Sequence, residues 1–205
     1  MRYAGEHLSE LIFPLGGLGT GSIGLAGNGA LVDWEIFNRP NKGSVLPYTG
    51  FAVRAEFSDG RVVTRFLQGD LQKGLSGLYT REKYKGYGFG PNETTFCGFP
   101  HFQRVTFQTA FPIATVTFAD PDFPGKVVMK AWNPLIPLDA DNSGIPAALF
   151  EICVQSPEEG IRYTVVLTAY NPFGNTVNTR VPHDRYTAVK LSSAVTKPDQ
   201  KDLFY

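Results

Sequence analysis

The sequence predicts an all-β fold, a large antiparallel β-sandwich, on three observations. Strand-length apolar runs recur about every 10–12 residues. Turn chemistry rich in Gly, Pro, Asp and Ser separates them. No amphipathic pattern of about ten residues or more marks a helix. With 205 residues the chain can bury roughly 70% of its unfolded surface, so its core needs neither disulfide nor metal.

The elements follow in order. Ala4 to Leu11 reads as one helical turn, ended by the apolar Leu11-Ile12-Phe13 before Pro14. Leu15 to Gly29 then holds seven glycines in fifteen positions. Glycine costs conformational entropy and packs nothing, so this density requires tight turns or close approach of another backbone or a ligand. Ala30 to Ile36 reads as a strand with Leu31, Asp33 and Glu35 on one face and Val32, Trp34 and Ile36 on the other. That alternation predicts both carboxylates on the wetter side.

Gly50 to Phe57 alternates with Phe51, Val53, Ala55 and Phe57 inward, and Ser58-Asp59-Gly60 turns it back into Arg61 to Leu67. Gln68 to Pro100 lacks periodicity, is dense in glycine and carries Tyr79, Lys83, Tyr84, Lys85 and Tyr87. It reads as a long surface excursion, a length usually tied to function or to an interface. Phe102 to Ala110 and Ile113 to Phe118 form a pair around Phe111-Pro112, and Asp120 to Gly125 is a turn. Lys126 to Trp132 is a strand, followed by a proline-fixed segment from Asn133 to Asp139. Pro146 to Gln155 is the most apolar strand and is expected at the sheet centre. Pro157 to Gly160 turns into a strand over Ile161 to Tyr170, and Tyr186 to Ser192 is a weaker one. Lys197 to Asp202 is a polar turn before the apolar Leu203-Phe204-Tyr205. A chain that stops while opening a strand is expected to be truncated at its C-terminal end.

The charge balance is even, 19 basic against 19 acidic residues, with no Lys/Arg block of the kind nucleic-acid binders carry. No nucleic-acid partner is expected. No apolar run approaches the roughly 18 residues of a membrane span, and the first residues carry no secretory apolar region, so the expected setting is cytoplasmic. Cys153 sits in an apolar strand pattern and is expected to be a small buried hydrophobe; whether it pairs with Cys97 stays open. The histidines, His7, His101 and His183, have no metal-ligand spacing, and no metal or cofactor is expected.

Gly19-Thr20-Gly21-Ser22-Ile23-Gly24 matches G-x-G-x-x-G, but Leu25-Ala26-Gly27-Asn28-Gly29 follows where a dinucleotide site needs a helix. A glycine-rich strand and turn is the better reading. Asp33 and Glu35, two apart on the expected strand, project to one face, and paired carboxylates are what glycoside hydrolysis needs, about 5–5.5 Å apart for retention and wider for inversion. An ion pair with Arg39 or a partner surface is the simpler use of such a pair.

Two blocks carry a resemblance. One is Phe13 to Gly24 followed by Asp33-Trp34-Glu35-Ile36-Phe37-Asn38-Arg39-Pro40. The other is Trp132-Asn133-Pro134-Leu135-Ile136-Pro137-Leu138-Asp139 followed by Asp141 to Ala148. Over nearly its whole length the chain resembles the N-terminal domain of the family 116 glycoside hydrolases, the family of non-lysosomal glucosylceramidases and bacterial β-glucosidases. The resemblance implies a supersandwich-like domain spanning 1–205 that is incomplete. It also implies a downstream (α/α)6 helical domain carrying both catalytic carboxylates for retaining hydrolysis of β-glucosides. No residue here matches either catalytic role, so this piece is expected to be non-catalytic and to meet substrate only through that missing domain. The resemblance suggests that Gly19, Thr20, Gly21, Trp34, Glu35 and Arg39 face the helical domain or its pocket rim. Two other readings stay open: a stand-alone carbohydrate-binding or interaction module, and a complete small glycosidase using Asp33 and Glu35.

Overall fold

Alternating apolar positions separated by turn chemistry fold here into antiparallel sheets, as expected. The structure is a computed structural model and describes residues 1–71, 96 and 98–194. The first strands are β1 (Arg2–Ala4), β2 (Ile12–Leu15), β3 (Ser22–Ala26), β4 (Leu31–Glu35), β5 (Gly50–Glu56), β6 (Val62–Gly69) and β7 (His101–Phe102). After them come β8 (Arg104–Ala110), β9 (Ile113–Ala119), β10 (Lys126–Trp132), β11 (Leu149–Gln155), β12 (Arg162–Thr168), β13 (Thr176–Pro182) and β14 (Thr187–Ser193). A 3-10 turn over Gly5–Glu10 and the short helix α1 (Ala140–Ser143) complete the inventory of the described residues. The Gln68 to Pro100 excursion and the Leu203–Tyr205 segment fall largely or wholly outside the described residues.

Two sheets make the sandwich. One has the order β1-β8-β9-β10-β11, the other β12-β5-β6-β7, and all their pairings are antiparallel except β6 with β7. Strand alternation decides what each face holds. Phe107, Val116, Phe118, Val127, Met129 and Ala131 point inward and lose all solvent contact. Burying each of the larger ones contributes about 1.5–3 kcal/mol. Val53, Ala55 and Leu67 meet them from the second sheet in one continuous core. A three-stranded sheet, β2-β3-β4, adds Phe13, Leu15, Ile23, Leu25 and Leu31 to the same core. A smaller cluster, Ala52, Phe66 and Phe96, covers the other face of β5 and β6.

Three strand expectations are corrected. The run Pro146 to Gln155 is not central: its strand, β11, pairs only with β10 among the described residues and forms that sheet's edge. Its apolar content hid an alternation, with Phe150, Ile152 and Val154 packed against the core and Glu151, Cys153 and Gln155 outward. Cys153 is accordingly an exposed free thiol rather than a buried hydrophobe. The third difference is β13, which the polar stretch Thr176–Pro182 did not signal. It pairs with β14 as a two-stranded ribbon, anchored where the Asn171 side-chain amide donates to the Val177 and Ser192 carbonyls.

Candidate functional site

The glycine-rich turn between β2 and β3 is held by its own chain. Gly16 N–H donates to Asn133 Oδ1 at 2.7 Å, and Asn133 Nδ2 donates to the Pro14 carbonyl at 3.1 Å. Leu18 N–H donates to the Ser143 carbonyl at 2.7 Å. A Cβ on Gly17 would stand 2.3 Å from the Ile145 carbonyl oxygen, and one on Gly21 would stand 2.6 Å from that of Glu35. These close approaches explain why the turn is glycine there. Gly19 is glycine for a different reason: its φ is +73° and open space surrounds it. Thr20 Oγ1 closes the turn by donating to the Gly17 carbonyl at 2.9 Å.

The facing segment is equally local in construction. Asp139 caps α1, accepting from Asn142 N at 3.0 Å and from Asn142 Nδ2 at 2.6 Å. The Asn142 side chain, then its backbone amide, hold the Asp139 carboxyl below its usual range. Ser143 Oγ bridges Ile136, accepting from its amide and donating to its carbonyl, both at 2.9 Å. The result presents Ile136, Leu138 and Ile145 outward beside Leu18, which is 66% exposed. Leu138 does so at φ +67°, a strained conformation for a branched apolar residue.

The second half of the site is β4 and the segment that wraps it. The register between β3 and β4 slips between Ser22 and Gly24, and Asp33 takes a φ of +50°. This bulge turns the Asp33 side chain inward. Asp33 is buried rather than on the wetter side, and this corrects the alternation read from the sequence. It accepts the Gly43 amide at 2.8 Å. Lys42 Nζ lies 2.7 Å from Glu35 and 3.3 Å from Asp33, so one lysine joins both carboxylates. The Lys42 ammonium lowers the Glu35 pKa more than burial raises it, and the Asn41 amide adds to the lowering. A carboxyl held ionised in this way is poorly suited to donate a proton as a general acid. The two acids serve as anchors for 41–43 instead, Glu35 also accepting the Asn41 amide at 3.3 Å, while Trp34 N–H donates to Ser44 Oγ at 2.8 Å and Asn41 Nδ2 to the Trp34 carbonyl at 2.9 Å.

Of the six residues singled out in the sequence, Gly19, Thr20, Gly21 and Arg39 are exposed, while Trp34 and Glu35 are half-buried. The Trp34 ring packs on the main core and its Nε1 donates to the Leu31 carbonyl at 3.3 Å. The structure brings Gly21 against Glu35. It also adds Leu18, Asn133, Ile136, Leu138 and Ile145, which sequence reading left outside the site. Their signal was present: Leu18 lies in the first of the two family-like blocks and the other four in the second, but nothing local says that the blocks touch. Among the described residues no group of His, Cys, Asp and Glu is placed to hold a metal ion, and no helix is long and apolar enough to cross a membrane.

Residues 13–200 match the family model described as beta-glucosidase 2, glycosyl-hydrolase family 116 N-term. No curated protein matches the chain.

Proposed function

The chain belongs to the N-terminal domain of glycoside hydrolase family 116, and from that premise we propose that it is the non-catalytic β-framework of a retaining β-glucosidase or glucosylceramidase-like enzyme. Its role is to seat and support a helical catalytic domain, which alone handles the β-glucoside. The face that does so centres on the turn bearing Gly19, Thr20 and Gly21, and extends to Trp34, Glu35 and Arg39. A cytoplasmic setting belongs to the same proposal, supported by the free, exposed thiol of Cys153.

One observation supports the reading above the rest. The Gly16–Asn133 and Leu18–Ser143 hydrogen bonds fasten two distant segments into a single ledge, and the ledge displays Leu18, Ile136, Leu138 and Ile145 to solvent. Apolar side chains grouped on a stiff surface fit a buried contact better than they fit water.

The test uses the full-length enzyme with Trp34→Ala, Arg39→Ala and, as a purely surface change, Leu18→Glu. The expected result is easier proteolytic separation of the two domains together with reduced kcat/KM. Unaltered domain docking and unaltered kinetics in all three variants would remove the proposal.

A further inference from the structure

Strand alternation leaves the outer face of the five-stranded sheet with an uneven charge. Arg2, Arg104, Lys126 and Lys130 project there against one carboxylate, Glu151, although the chain as a whole is formally neutral. Lys130 is matched by Glu151 at 2.9 Å. None of the ion pairs among the described residues includes Arg2, Arg104 or Lys126. They line a shallow concavity of about 570 Å³ floored by Thr106, Thr117 and Gln108.

The register places these groups around one centre. Arg104 pairs with Ala119, and Lys126 lies beside Ala119 on the next strand, because Val127 pairs with Phe118. Two strand spacings separate the two cations, about 10 Å. Arg2 pairs with Gln108, four residues along β8 from Arg104 and one strand over, so it lies about 14 Å from Arg104. Three like charges on long side chains surround neutral hydroxyl and amide donors, and the one carboxylate of that face, Glu151, is engaged by Lys130. That spacing is too wide for one small monoanion and suits a ligand with several negative oxygens. Guanidinium forks and threonine hydroxyls are donors that match phosphate oxygens.

We propose that the outer face of the β1-β8-β9-β10 sheet is a binding site for a multiply charged phosphate ligand. Arg2, Arg104 and Lys126 carry the recognition, and Thr106, Thr117 and Gln108 supply neutral hydrogen bonds. The phosphates belong either to a soluble polyphosphorylated molecule or to a lipid headgroup. The site is separate from the ledge at the glycine-rich turn, and its occupancy does not depend on the reading of that ledge.

Titration of the 205-residue chain with inorganic tripolyphosphate, followed by calorimetry, tests the site. A parallel arm measures flotation with phosphatidylcholine vesicles with and without phosphatidic acid. Saturable binding that weakens as salt is raised is expected in at least one arm. Binding to tripolyphosphate alone assigns a soluble ligand; flotation that requires phosphatidic acid assigns a lipid one. Arg104→Gln combined with Lys126→Gln should weaken binding about tenfold or more, and Thr117→Val severalfold, with melting temperatures unchanged. Arg180→Gln combined with Lys190→Gln, which removes the same charge from the β13–β14 ribbon, should leave binding intact. No binding in either arm, or equal weakening by the two double variants, would overturn the proposal.

Discussion

Asn133 Oδ1 accepts the Gly16 amide across 117 residues of chain. Its Nδ2 returns a bond to the Pro14 carbonyl, so one side chain fastens the end of β2 to the segment after β10. Asn133→Ala should cost about 1–2 kcal/mol by leaving both backbone groups without their partner. Asn133→Asp, which keeps the acceptor and loses the donor, should cost less. Urea denaturation measures both, and amide exchange at 16–21 should quicken in the Ala variant. Protection equal to that of the unaltered chain would show that the clasp does not hold the turn.

The glycines of this turn are distinguishable by substitution. Gly17→Ala forces a Cβ to 2.3 Å from the Ile145 carbonyl oxygen, and the backbone must move at a cost of about 2–3 kcal/mol. Gly19→Ala meets open space and carries only the left-handed backbone penalty at φ +73°, about 1 kcal/mol. Equal losses in a denaturation series would contradict this ranking.

Lys42 keeps two carboxylates compatible. Lys42→Met should leave Asp33 and Glu35 as like charges and destabilise the chain by about 1 kcal/mol, a modest figure because Lys42 is 56% exposed and screened by water. Adding Glu35→Gln should recover most of the loss. A double variant less stable than Lys42→Met alone would show that Glu35 contributes through something other than charge.

Among the described residues Asp120 is the most deeply buried acid of an ion pair, its side chain 1% exposed, with Arg65 Nε at 2.9 Å. Burial pushes its pKa up, but Arg65 and the Asp122 amide together hold it below the usual value. Asp120→Ala should cost about 3 kcal/mol, because it strands Arg65 beside the core. Arg65→Met with Asp120→Leu should lie closer to the unaltered protein than Asp120→Ala does. Thermal and urea melts of the three proteins decide it.

Acid stability has a definite sign. Arg162, and after it Arg54, lower the Glu56 pKa from 4.5 to about 2. A depressed folded-state pKa gives stability that is complete above the unfolded value and is lost as pH falls through the folded one. Melting temperature should therefore drop between about pH 4.5 and about pH 2, and Glu56→Gln should flatten that part of the curve. Because the group is at the surface, about 0.5 M salt should shrink the difference. Parallel curves for the two proteins would refute the assignment.

Legibility varied from element to element. β5, β8, β9 and β10 stand where alternation and flanking turns placed them, because a two-residue period and a turn such as Ser58-Asp59-Gly60 are properties of adjacent residues. Asp33 was misplaced because a bulge depends on the partner strand, and one residue of slip sends a side chain to the other face. β11 was placed at the centre because its composition records apolarity and not neighbours. β13 escaped notice because its polar residues need no core; a second strand, β14, and the Asn171 amide hold it.

The sequence alone determined the all-β class, the positions of most turns, and the two family-like blocks, since each is written in contiguous residues. The tertiary structure alone decided that those blocks touch through Gly16–Asn133 and Gly17–Ile145. It also decided that Lys42 joins Asp33 to Glu35 and that three cations share one outer sheet face. Each of these contacts joins residues through strand pairing or loop wrapping, and the spacing along the chain does not specify which distant groups the fold will bring within a few ångströms.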